Sequence, residues 1–101
     1  MYLNEGRRSW PSIVIDVLEI ALAPSTKMRI MYGANLNFNR FSKYFLDLLK
    51  RGFLEEIKSS KGKKLYRTTE SGKDLLNVLQ VALDIISSKE TEVLAPTQTA
   101  H

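Results

Sequence analysis

No cysteine occurs in the 101 residues. Disulfides, thiolate zinc sites and cysteine nucleophiles are thereby excluded. The one histidine, His101, is terminal and has no ligand partners beside it. No apolar run reaches the ~20 residues that a membrane-spanning helix needs. The apolar segment that follows Arg8 carries Asp16 and Glu19 and lacks a small-residue cleavage pattern, so no signal peptide is expected. There is no Ser/His/Asp set, no glycine-rich phosphate loop and no metal-ligand spacing. Glu55 and Glu56 are adjacent in a predicted strand, so their carboxylates face opposite ways and cannot share a site. No enzyme, metal or cofactor is expected.

What is present is basic charge, unevenly placed. The apolar and charged fractions, 44% and 26%, are those of an ordinary globular domain, and the length fits one core. The net charge is +4. Residues 37–67 hold nine Lys/Arg against three acids, whereas the rest holds six against eight. One third of the chain therefore carries all the excess positive charge, as expected of a footprint for a polyanion. The bland alternative is a solvated basic surface.

Periodicity divides the chain into a loose N-terminal arm (1–8), a domain with its last helix (9–88) and a flexible tail (89–101). Ser9-Trp10-Pro11 can open a helix, since Ser caps and Pro is tolerated in a first turn. Ile13, Val14, Val17, Leu18, Ala21 and Leu22 then repeat at helical spacing, up to Ala23-Pro24. Ser25 or Thr26 caps a short second helix. A third helix spans residues 37–51, with Phe38, Phe41, Tyr44, Phe45, Leu48 and Leu49 on the apolar side and Gly52 as the stop. Residues 54–58 and 64–68 form a hairpin around Ser59-Ser60-Lys61-Gly62-Lys63-Lys64. Thr69-Glu70-Ser71-Gly72 opens the last helix, expected to stop near Ser87 or Ser88. The order is that of a winged helix-turn-helix: α+β, mainly α, with three helices, a two-stranded wing and a C-terminal dimerisation helix.

Thr26-Lys27-Met28-Arg29-Ile30-Met31-Tyr32-Gly33-Ala34-Asn35-Leu36 resembles the second-helix signature of small archaeal winged-helix proteins. The type case is the small dimeric chromatin protein of Sulfolobus. Arg8-Ser9, Tyr44 and the run from Tyr66-Arg67-Thr68-Thr69 to Leu75-Leu76 continue the likeness, which covers roughly residues 8–86. The resemblance implies a winged-helix fold, double-stranded DNA binding and homodimers joined through the last helix. A cytoplasmic, nucleoid-associated protein follows. The type protein has a longer C-terminal helix that forms an antiparallel coiled coil.

The candidate DNA-binding residues fall in three groups. Asn39, Arg40 and Lys43 lie on the polar face of the third helix, in the turns that enter the major groove in helix-turn-helix proteins. Arg can donate two bonds to guanine and Asn can pair with adenine. Asn37 and Ser42 support these contacts or reach phosphate. Asp47 marks the end of the face or pairs with Lys43 or Lys50. Lys58, Lys61, Lys63, Lys64 and Arg67 make the wing, suited to phosphates. Lys27 and Arg29, with Arg7 and Arg8, add weaker contacts. The bland readings are a polar helix face and a hairpin edge blunted by lysine.

The last helix has nine apolar residues between Leu75 and Ile86. Leu75, Leu79, Ala82 and Ile86 form a stripe for its own domain, which leaves Val78, Val81 and Ile85 on other faces. A second copy is the simplest cover for those faces, and the dimerisation residues are expected among Leu75, Val78, Leu79, Val81, Ala82, Ile85 and Ile86. These readings describe a transcription regulator or chromatin-associated protein. The rival is a protein–protein interaction module on the same scaffold.

Overall fold

A computed structural model describes residues 9–94, with side chains through residue 89. The elements are α1 (Trp10–Ile20), α2 (Lys27–Gly33), α3 (Phe38–Lys50), β1 (Leu54–Lys58), β2 (Lys64–Thr68) and α4 (Glu70–Leu94). Each of the first three helices starts on a polar cap. Ser9 Oγ accepts from the Ser12 N–H, Thr26 Oγ1 from the Arg29 N–H at 3.2 Å, and Asn37 Oδ1 from the Arg40 N–H at 2.8 Å. Each bond satisfies one N–H that a helix start leaves without a partner.

The core is built from α1 (Ile13, Val14, Val17, Leu18), α2 (Ile30, Met31), α3 (Phe41, Phe45, Leu48), the wing base (Leu54, Tyr66) and Leu76 of α4. Phe45 is its hub. Its ring lies 5.0 Å from Phe41 and 4.8 Å, edge-on, from Tyr66, so α3 and the wing pack through aromatic contacts. α3 is thereby held with its opposite face outward. Leu22 and Phe38, counted with the apolar stripes in sequence, are exposed instead. Leu22 falls beyond the last turn of α1, and Phe38 lies at the start of α3, where the helix clears its neighbours.

β1 and β2 pair antiparallel, Leu54 opposite Thr68 and Lys58 opposite Lys64. The hairpin has a third member that periodicity did not reveal. Ser25 makes an antiparallel bridge to Tyr66, with N···O distances of 3.0 and 2.8 Å. The Thr68 N–H donates to the Ala21 carbonyl and its hydroxyl to the Leu18 carbonyl, each at 2.8 Å. The base of the wing is thus stitched to the end of α1, and Ser25 is a strand residue while Thr26 alone caps α2.

Thr69 joins three elements. Its hydroxyl donates to the Gly52 carbonyl (2.6 Å) and accepts from the Gly72 N–H (3.0 Å), and its own N–H donates to the Phe53 carbonyl (3.0 Å). Gly52 takes φ +81° just past the end of α3, a conformation that suits glycine.

Two expectations for the last helix are corrected. It does not stop near Ser87 or Ser88 but continues to Leu94, into the stretch assigned to the tail. Residues 89–94 lack an apolar period, yet Lys, Glu and Leu are good helix formers and no breaker occurs before Pro96, whose ring disfavours helix in the preceding residue. The rest of the tail, 95–101, and the arm, 1–8, lie outside the described residues. The stripe facing the domain is also different. Leu76 is buried, and Leu75, Leu79 and Leu83 pack beside it, whereas Ala82 and Ile86 are exposed. Leu75 and Leu79 keep their expected places, while Leu76 and Leu83 take the places expected of Ala82 and Ile86; α4 enters with Gly72 set against the Phe53 carbonyl.

Candidate nucleic-acid interface

The exposed side of α3 is prepared by its buried side. Packing of Phe41, Phe45 and Leu48 turns Asn39, Lys43 and Lys50 to solvent. The side chains of Asn39 and Lys43 have no hydrogen bond or ion pair among the described residues. Arg40 is half-buried and shares a shallow groove of about 500 Å³ with Trp10, Lys43, Tyr44 and Asp47. Asp47 pairs with neither Lys43 nor Lys50. It accepts from Arg51 Nε at 2.9 Å, one turn on, and that bond together with the adjacent charge raises the Arg51 pKa. The acid nearest the basic face is thus engaged at the far end of the helix.

The two residues expected to support these contacts are placed differently. Asn37 spends its side-chain oxygen on the cap. The Ser42 hydroxyl is closed off from solvent and has no partner among the described residues, so it does not reach a phosphate from this position. A residue one place from the outward-facing Lys43 is already turned toward the flank of the helix.

The wing tip is organised by Ser59, whose role the sequence reading missed. Its Oγ accepts from the N–H groups of Lys61 and Lys63 at 3.3 and 3.1 Å. Its backbone closes on the Lys63 carbonyl (2.9 Å) and the Gly62 N–H (2.9 Å), with Gly62 at φ +81°. A serine two and four residues before lysines, with glycine between, is the pattern that could have indicated it. The turn presents Lys58, Lys61, Lys63 and Lys64 to solvent, with no ion pair to any described residue. Lys58 and Lys64 are directly opposite in register, an arrangement of like charges that weakens a hairpin. Arg67 departs from this group. It faces Glu55 across the ladder and bonds it through Nε (3.0 Å) and Nη2 (2.8 Å). Arg67 is thus held in an exposed cross-strand ion pair, because one strand position places Glu55 within its reach.

On α2, Arg29 is exposed, while Lys27 is half-buried with its ammonium 5.8 Å from the Phe38 ring centroid and 5.3 Å from that of Phe45. Arg7 and Arg8 lie outside the described residues. No metal-binding group of acids and histidines occurs among the described residues, and no described helix is long and apolar enough to cross a membrane.

Three helices, a lysine-tipped hairpin and a fourth helix laid across α1 define a winged helix-turn-helix. The sequence profile of the winged helix-turn-helix family matches residues 7–87, and the chain belongs to that family. An uncharacterized protein of Methanocaldococcus jannaschii is 36% identical over 84 residues, 82% of this chain and 81% of that protein. The fold is similar to that of Sso10a-2, a DNA-binding protein from Sulfolobus solfataricus. The TM-score is 0.80 at 24% identity, covering 93% of this chain and 98% of that one. It is also similar to the PcaV transcriptional regulator of Streptomyces coelicolor, with a TM-score of 0.64 at 20% identity, covering 88% of this chain and 62% of that one.

Proposed function

We propose that this protein is a double-stranded DNA-binding regulator or chromatin-associated protein of the cytoplasm, nucleoid-associated, working as a homodimer. The observation that carries the reading is the group of lysines on the Ser59 turn, Lys58, Lys61, Lys63 and Lys64, exposed and without counter-ions among the described residues. Beside it, α3 offers Asn39, Arg40 and Lys43. In a winged helix-turn-helix this helix lies in the major groove and the wing grips flanking phosphates. The DNA-binding function of Sso10a-2, as its name describes it, and the regulatory role of PcaV agree with this assignment.

Salt titration of binding to duplex DNA tests it. If a dimer neutralises some six to ten phosphates, affinity falls about 10³- to 10⁵-fold between 50 and 200 mM salt. A flat slope, or no binding at low salt, refutes the reading.

The homodimer rests on α4. Val78, Val81, Ala82, Ile85 and Ile86 repeat at helical spacing on its uncovered side, with Val78 61% and Ile85 55% exposed. Leu75 and Leu79, assigned to the dimer contact from sequence, pack on the protein's own core and flank this stripe. Beyond Leu83 the helix runs 11 more residues, about 16 Å at helical rise. Full burial of one such aliphatic side chain is worth about 1.5–3 kcal/mol, so covering the stripe with its own copy is strongly favoured. In sedimentation the native protein is expected as a dimer and Val81→Glu/Ile85→Glu as a folded monomer. A native monomer, or a variant that stays dimeric, rejects this arrangement.

A further inference from the structure

We infer that Phe38 is a base-reading residue that recognises the C5-methyl group of thymine in the major groove; the inference rests on the DNA-binding reading above. Phe38 is the first residue of α3, directly after the Asn37 cap, and is 60% exposed. The chain's other three phenylalanines, Phe41, Phe45 and Phe53, are buried or half-buried. The aromatic contacts of the core, Phe41 with Phe45 and Phe45 with Tyr66, do not include Phe38. Its ring is held in a cationic setting. The Lys27 ammonium lies 5.8 Å from its centroid, and exposed Asn39 is the next residue along the helix.

Position and chemistry select the target together. The N-terminal residues of a recognition helix are those that approach base edges. Of the groups displayed in the major groove, the thymine methyl is the apolar one, and phenylalanine is a suitable contact for it. A phenyl ring offers no hydrogen bond to guanine, cytosine or adenine edges. Lys27 beside the ring, with the exposed Arg29 of α2 and Lys43 of α3, supplies the attraction to the duplex that brings this apolar group into the groove. The site therefore discriminates by a methyl group, and adenine–thymine tracts are its preferred substrate.

The test compares alternating adenine–thymine duplexes with adenine–uracil duplexes of the same length, which lack only that methyl. The native protein is expected to bind the uracil duplex about fourfold more weakly per head, the worth of one buried methyl-sized group. Phe38→Gln is expected to bind both duplexes equally, with an unchanged salt slope and an unchanged melting temperature. Phe38→Leu, which stays apolar, keeps the preference. A native protein that binds both duplexes equally, with its steep salt slope intact, overturns the inference and leaves the DNA-binding reading standing. So does a Phe38→Gln variant that still favours thymine. A native protein that binds neither duplex overturns both.

Discussion

Replacing Lys58, Lys61, Lys63 and Lys64 together by glutamine is expected to lower duplex affinity on the order of 10²- to 10³-fold per head at 0.1 M salt, and to reduce the salt slope by about four per head. Ser59 Oγ and the Gly62 conformation hold the tip without using any lysine side chain, so the substitution leaves the turn intact. Stability should move the other way. Lys58 and Lys64 face each other across the ladder, and relieving that repulsion strengthens the hairpin by a few tenths of a kcal/mol, roughly the size of a cross-strand pair term. A variant that loses DNA while melting no lower than the native protein separates a binding surface from a structural one. Lys73→Ala is the control. Its ammonium pairs with Glu70 on α4, and its loss should scarcely alter binding. Equal losses in the two variants would reduce the wing to ordinary surface charge.

Gly72→Ala is expected to destabilise the domain by about 3 kcal/mol, since overpacking of this severity lies at the upper end of such effects. A Cβ at this position would lie 2.2 Å from the Phe53 carbonyl oxygen and 2.7 Å from Thr68 Cγ2. Neither neighbour is free to yield. The Phe53 carbonyl accepts from the Thr69 N–H, and the Thr68 hydroxyl is bonded to the Leu18 carbonyl. The start of α4 must move instead, breaking the Thr69 junction and lifting Leu76 from the core. Thermal melting at fixed protein concentration should show a fall of roughly 12–24 °C, because about 1 kcal/mol shifts the midpoint of a domain this small by 4–8 °C. Gly33→Ala gives the contrast. Its Cβ would meet only the end of the Ile20 side chain, which can rotate aside. Near-native melting of Gly72→Ala would show that α4 is not seated as described.

The fold was largely legible because its signals are local. Asn37 and Gly52 bracket α3, Ser59 to Lys64 read as a turn, and α1 and α3 carry helical periods. The errors occur where a distant part of the chain decides. Nothing near Ser25 in sequence announces its bridge to Tyr66, and nothing near Gly72 announces the Phe53 carbonyl set against it. The wing lysines could be selected because a turn exposes its side chains by necessity. The ion pair of Arg67 could not be foreseen without the register that sets Glu55 opposite, nor the burial of the Ser42 hydroxyl without knowing how α3 rolls on the core. Phe38 was read as a core residue because an apolar side chain at helical spacing usually is one.

The hydroxyl of Thr69 has a mechanical consequence. It clamps the carbonyl just past one helix to the first turn of another, so the reading helix and the long terminal helix share a fulcrum. In a pair of molecules joined along that helix, the span between the two heads and the pitch at which each meets its groove cannot be adjusted separately.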